Sequence, residues 1–284
     1  MREKRIVIYN LQRPHTRDIT SAMFDGLTKL GRNVTMVPNA RGWTGRTPGD
    51  ICVMYAIHST LRKVYRAYVE AGKKIVFIDN GYFGRMIGEQ RFKTYHRFSV
   101  GGMHPGDYII KQRHPPDRWE KFAKRFAQRP RRGKAIVVAG MSGKVARLHK
   151  LREWDFQMIQ HLDRITDRPI WYKPKRACPP PIRYTNAKIL DPKIKVDEVL
   201  SGAHAVVTRH SNMALEALAF GVPYYCEAGA AVALSMKLVE IERPRAVSFV
   251  DRLQLLSNVC YAQWNVAEMR SGEAWASLEK DGLV

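Results

Sequence analysis

Short apolar runs alternate with amphipathic stretches of helical length, and this rhythm leaves the chain few folds to choose from. Arg5–Tyr9 is such a run, and Ile19–Leu30 carries its apolar positions at helical spacing before stopping at Gly31. Asn33–Val37 and Asp50–Tyr55 read as the next strands, the latter after the turn-rich Arg41–Gly49 stretch. Leu61–Ala71 reads as a helix stopped by Gly72, and Lys74–Ile78 as a strand. A second series opens at Ala135–Ala139, with a helical Lys144–His161, a strand Pro169–Tyr172, a short helix Val196–Ala203 and a strand Ala205–Thr208. Strands separated by helices need crossovers, and crossovers give parallel sheets. The expected fold is therefore α/β, with two Rossmann-like domains facing a cleft. Arg125–Lys134, charged, bearing Pro and Gly and lacking an apolar stripe, reads as the linker. It sets expected boundaries at 1–130, 131–265 and a helical tail 266–284.

Charge narrows the classes of partner. Lys and Arg number 48 against 26 acidic residues, a net +22. Residues 1–134 hold 28 basic and 10 acidic side chains, and residues 135–284 hold 20 and 16. A field of this sign attracts polyanions and makes their binding salt-dependent. No apolar run has the length of a membrane span, and the N-terminus reads as a first strand rather than a signal peptide. Cys52, Cys178, Cys226 and Cys260 are scattered without a Cys-x-x-Cys pair, so a reducing cytoplasm is expected.

The sharpest chemical question lies in Val206–Tyr225. Strand Ala205–Thr208 delivers the chain to the carboxyl edge of the second sheet, where open α/β sheets bind ligands. Arg209, His210, Ser211 and Asn212 then precede the helix Met213–Phe220, which Gly221 ends. Ser211 or Asn212 suits the cap, the free N–H groups of the first turn attract an anion, and Arg209 adds a full charge. Glu216, one turn in, suits the hydroxyls of a ribose. The same spacing serves equally well as a plain cap, with Glu216 paired to Arg209. In Val138–Lys144, Gly140, Ser142 and Gly143 permit close backbone approach and Lys144 supplies charge. The spacing is not that of a Walker loop, and a tight turn explains it equally. Lys173 ends a strand at the same edge, either reaching a donor or simply solvated.

Thr208–Pro223 resembles the donor-site signature of glycosyltransferases with the GT-B fold, in which a polar Ser/Asn turn precedes a Glu-bearing helix and an Ala-x-Gly-x-Pro exit. The resemblance covers that segment; elsewhere it extends to architecture only. It implies a diphosphate near Arg209, Ser211 and Asn212, with Glu216 on the ribose of a nucleotide sugar, a UDP-sugar first. It places Gly140–Lys144 against the donor phosphates. The string also occurs in sugar-nucleotide epimerases of the same fold. Metal dependence stays open, since the chain has no Asp-x-Asp donor-metal motif.

On the acceptor side, Asp79 ends the strand Lys74–Ile78 and is the first candidate for the base that takes a proton from an attacking hydroxyl. An Asx-type turn ahead of Gly81 accounts for it equally. His104 is the second candidate, and His15 sits at the same edge to position the acceptor. Basic side chains interleave with aromatics at Arg13, Arg41 with Trp43, Arg62, Arg85, Arg91 and Lys93, a composition suited to a nucleic-acid backbone and its bases. Together these features resemble the phage glucosyltransferases that decorate hydroxymethylated bases. That resemblance implies double-stranded DNA as acceptor and the host cytoplasm as location. Alternatives are a cell-envelope glycosyltransferase acting on lipid or polysaccharide, and a non-catalytic nucleic-acid-binding protein on the same scaffold.

Overall fold

The computed structural model describes residues 3–11, 13–56, 59–84, 94–102, 106–126, 133–148, 150–175 and 185–284. In chain order the strands are β1 (Ile6–Tyr9), β2 (Val34–Val37), β3 (Ile51–Tyr55), β4 (Lys74–Asn80), β5 (His96–Val100), β6 (Ala135–Ala139), β7 (Ile170–Lys173), β8 (Lys188–Ile189), β9 (Ala203–Thr208), β10 (Tyr224–Cys226) and β11 (Gln263–Trp264). The helices are α1 (Pro14–Lys29), α2 (Ser59–Glu70), α3 (Asp117–Ala123), α4 (Gly143–Leu148), α5 (Trp154–Ile165), α6 (Val196–Ser201), α7 (Met213–Phe220), α8 (Phe249–Tyr261), α9 (Val266–Ser271) and α10 (Glu273–Lys280).

The chain forms two compact units whose limits differ from those expected of the sequence. One comprises Met1–Pro105 with Val259–Val284, the other Gly106–Asn258. In the first, β2, β1, β3 and β4 are parallel neighbours. β1 and β3 are buried at every position, as parallel strands covered on both faces require. The sheet then departs from the parallel expectation: β5 runs antiparallel to β4, and β11 antiparallel to β5. Its order is β11-β5-β4-β3-β1-β2.

The C-terminal residues are therefore no appendage. Trp264, Met269, Ala274, Trp275 and Leu278 share one core with Ile6, Ile8, Met23 and Leu27. Each large side chain so buried contributes about 1.5–3 kcal/mol relative to exposure. The Gln263 side-chain carbonyl accepts hydrogen bonds from the backbone of Tyr82 (2.8 Å) and Phe83 (2.9 Å), pinning the turn after β4. Amphipathic periodicity announces α9 and α10 but does not say which core they cover.

The second unit carries an all-parallel sheet in the order β10-β9-β6-β7-β8. The helical pattern of Lys144–His161 is broken into α4 and α5, with Lys150 between them at φ +58. Both units are Rossmann-like α/β structures. Among the described residues no helix is long and apolar enough to cross a membrane.

These limits also redistribute the charge. The first unit holds 20 basic and 11 acidic residues, the second 28 and 15. The surplus of residues 1–134 came in part from 106–134, which carries 10 basic and 3 acidic side chains and lies in the second unit. Neither unit is singled out as the polyanion-binding half.

Candidate functional site

The carboxyl edge of the second sheet gathers the donor-side candidates. In register, Ala139 of β6 pairs with both Lys173 of β7 and Thr208 of β9. The three strands thus end level, and the loops that follow them emerge side by side. Thr208 Oγ1 donates to Ala139 O (3.0 Å) and accepts from Ser211 N (3.2 Å), tying the Arg209–Asn212 turn to the β6 loop.

Helix α7 follows. Its Met-Ala-Leu-Glu-Ala-Leu-Ala-Phe sequence is apolar on nearly every face and every residue is buried. Ser211 Oγ accepts from Met213 N (3.3 Å), so Ser211 supplies the side-chain bond at the start of the helix, while Asn212 makes no capping bond. Gly221 ends it at φ +73, the left-handed region in which glycine costs nothing. Arg209, His210, Ser211 and Asn212 are all half-buried.

Glu216 is placed differently from either reading of the sequence. Only 4% exposed, its carboxylate meets Arg125 at 3.3 Å, and Arg125 also pairs with Asp197 at 2.6 Å. A buried carboxylate needs such a partner. Arg209 instead sets its Nε 2.9 Å from Glu227 Oε2, an ion pair without good hydrogen-bond alignment. Glu227, just beyond β10, also accepts from Trp154 Nε1 (2.7 Å). Its backbone N and that of Ala228 donate to Arg209 O.

The loop after β6 is held by a buried acid. Asp155 accepts from Tyr172 Oη (2.7 Å) and from Met141 N (3.3 and 3.2 Å to its two oxygens). A Cβ on Gly140 would lie 2.6 Å from Tyr172 Oη and 3.0 Å from Asp155 Oδ2, so glycine is needed here for packing against this pair. Ser142 and Gly143 are half-buried at the start of α4, where Ser142 O accepts from Val145 N and Ala146 N. Lys173 turns its ammonium to Pro192 O at 2.9 Å. The Lys144 side chain lies outside the described residues.

Burial pushes the Asp155 carboxyl up, while the Tyr172 hydroxyl and Met141 amide pull it back in part. An acid whose folded pKa is raised binds its proton more tightly folded than unfolded. Its stabilisation is present at low pH and is lost as pH rises from the ordinary carboxyl range through the folded value. Asp155→Asn removes that loss. Its unfolding midpoint, followed from pH 3 upward, is expected to gain on wild type as pH rises through that window.

In the first unit, Asp79 lies directly opposite Arg97 on β5. Asp79 Oδ2 accepts from Arg97 Nη2 (3.1 Å) and Oδ1 from Asn80 N (2.8 Å). Each oxygen retains a lone pair for a further donor. Arg97 is 7% exposed and lies 5.8 Å from the Tyr82 ring centre.

Among the expected nucleic-acid contacts, Arg13 and Arg41 are exposed, and Arg62 is half-buried. Trp43 folds its Nε1 onto Arg46 O (2.8 Å). Tyr68 and Phe98, aromatics of the basic runs that contain Arg62 and Arg91, are fully buried core residues and offer no stacking face. Arg85, Arg91, Lys93 and His104, and the side chain of His15, lie outside the described residues.

The sequence reading missed Arg97, Trp154, Asp155 and Glu227. The register of β5 would have revealed Arg97; no local pattern marks the other three. A cavity of about 540 Å³ opens at the opposite, amino edge of the second sheet, between Leu218, Phe220, Val222, Arg243, Phe249 and Arg252. It includes Gly221 and Pro223 of the Thr208–Pro223 segment but none of the candidate catalytic, donor-binding or nucleic-acid-binding residues.

No protein-family model matches the chain, and no curated protein matches its sequence. Solved structures do match its fold. The β-Kdo 2,7-transferase of Thermosulfurimonas dismutans KpsC aligns over 96% of this chain and 99% of its own at 15% identity, with a TM-score of 0.55. The β-Kdo 2,4-transferase of the same KpsC aligns over 88% and 89% at 15% identity, with a TM-score of 0.53. Both structural neighbours are, by name, Kdo transferases, and the likeness is one of fold.

Proposed function

We propose that the chain is a glycosyltransferase that takes its sugar from a nucleotide-sugar donor, a UDP-sugar first. The supporting observation is the level ending of β6, β7 and β9, which sets the Gly140–Gly143 loop beside Arg209 and the start of α7. The donor diphosphate lies there, against backbone N–H groups and the Arg209 guanidinium. In the transfer, the acceptor hydroxyl loses its proton to the Asp79 carboxylate as its oxygen attacks the anomeric carbon. The bond from that carbon to the diphosphate breaks, and the nucleoside diphosphate leaves with the electron pair. Glu216 enters this reading only by exchanging Arg125 for a ribose hydroxyl.

For the acceptor, the net charge of +22 supports duplex DNA carrying hydroxymethylated bases. Cations spread over both units serve a long polyanion at least as well as a single basic half. A second reading, a polysaccharide or lipid-linked acceptor of the cell envelope, draws support from the fold neighbours named as Kdo transferases.

The test incubates the protein with a panel of nucleotide sugars and either hydroxymethylated or plain duplex DNA, then digests the DNA and weighs the nucleosides. A sugar-sized gain on the modified base alone is expected. Transfer to oligosaccharide acceptors, with none to DNA, would move the assignment to the second reading. Salt-sensitive DNA binding without donor consumption would leave a non-catalytic binding protein.

A further inference from the structure

The pairing of Arg209 with Glu227 gives the donor edge its own resting anion. Arg209 and Glu227 are 26% and 29% exposed as side chains, so their 2.9 Å contact is partly shielded from water. Glu227 is anchored from the other side by the Trp154 indole N–H at 2.7 Å. That bond holds the carboxylate in place when the guanidinium turns away. Arg209 Nη1 is buried and makes no hydrogen bond among the described residues. A buried guanidinium N–H without an acceptor is costly and is relieved by an anion of suitable shape. The resting contact therefore neutralises Arg209 without satisfying it.

We infer that Glu227 is a built-in competitor for the donor diphosphate: it occupies Arg209 in the empty site and is exchanged for phosphate oxygens on binding. This rests on the reading of Arg209 as the diphosphate ligand. The exchange carries a consequence opposite to that of a positioning carboxylate. Two or more phosphate charges outweigh one carboxylate, so binding proceeds, but each event first breaks a partly buried ion pair. Removing the carboxylate charge should strengthen anion binding, whereas removing a residue that only orients Arg209 should weaken it. After transfer, the waiting carboxylate helps to expel the product diphosphate.

The experiment uses the full chain and inorganic pyrophosphate as probe, titrated calorimetrically at low salt. Glu227→Gln keeps the acceptor for Trp154 and removes the charge, and is expected to bind pyrophosphate about tenfold more tightly than wild type. Phenylglyoxal labelling of Arg209, read by peptide mass mapping, is expected to be faster in E227Q, and pyrophosphate is expected to protect the residue. Equal or weaker pyrophosphate binding by E227Q, including the case in which neither protein binds, overturns the inference. An unfolded variant is recognised by its thermal midpoint; Glu227→Ala then supplies the same comparison. Tighter binding by E227Q in a protein that consumes no nucleotide sugar keeps the competitor and rejects the transferase, so the two failures are distinct.

Discussion

Replacing Arg209 with alanine is expected to lower sugar transfer by about a hundredfold or more, because the variant loses the charge beside the departing diphosphate as negative charge builds there. The effect falls on turnover more than on stability. Arg209 is half-buried and its ion pair with Glu227 is partly solvated, so its loss costs the fold little. Glu227 remains in R209A as an uncompensated carboxylate facing the site, which adds repulsion to the lost attraction. Steady-state rates and the dissociation constant for the nucleoside diphosphate measure the two parts separately. Wild-type turnover in R209A would remove the diphosphate from this turn altogether.

Asp79→Asn is expected to reduce transfer by about 10²–10⁴-fold, the usual contribution of a positioned base. The same change leaves Arg97, only 7% exposed, without its carboxylate, and so destabilises the unit by about 1–3 kcal/mol. Those two consequences need separation, and Arg97→Met supplies it. R97M breaks the same ion pair but leaves the carboxylate, so at a temperature where both variants are folded it retains transfer and D79N does not. Equal activity losses in the two variants would make Asp79 a structural partner of Arg97 and send the search for the base elsewhere.

The readability of this chain followed the range of the interactions involved. Helix α7 was legible to the residue, because its polar turn, its Ala and Leu run and its glycine stop are neighbours in sequence. Strands β6 and β9 were legible for the same reason: uninterrupted apolar runs bounded by turn residues. Glu227 and Trp154 meet across 73 positions of sequence, and Asp155 meets Met141 across 14. No local pattern encodes those meetings. The charge asymmetry of the two sequence halves does not carry over to the two units, because Pro and Gly content set a boundary near 130 whereas the second unit begins at Gly106 and takes the basic 106–134 segment with it. Glu216 shows the opposite lesson. Its place on α7 was foreseen, and its partner Arg125 came from a segment read as linker.

The course of β11 has a consequence for how this molecule comes into being. Residues 106–258 form one unbroken stretch, and that unit has all its strands as soon as β10 has been made. The first unit has to wait. Its sheet lacks β11, its α1 lacks the α9 surface, and the turn after β4 lacks the Gln263 acceptor until residues 263–271 have left the ribosome. During synthesis β5 presents an open edge for the whole time needed to make the intervening unit, which favours mispairing with other chains. The first unit is thus begun before the second and completed after it, and its closure depends on long-range contacts, which are slow to form.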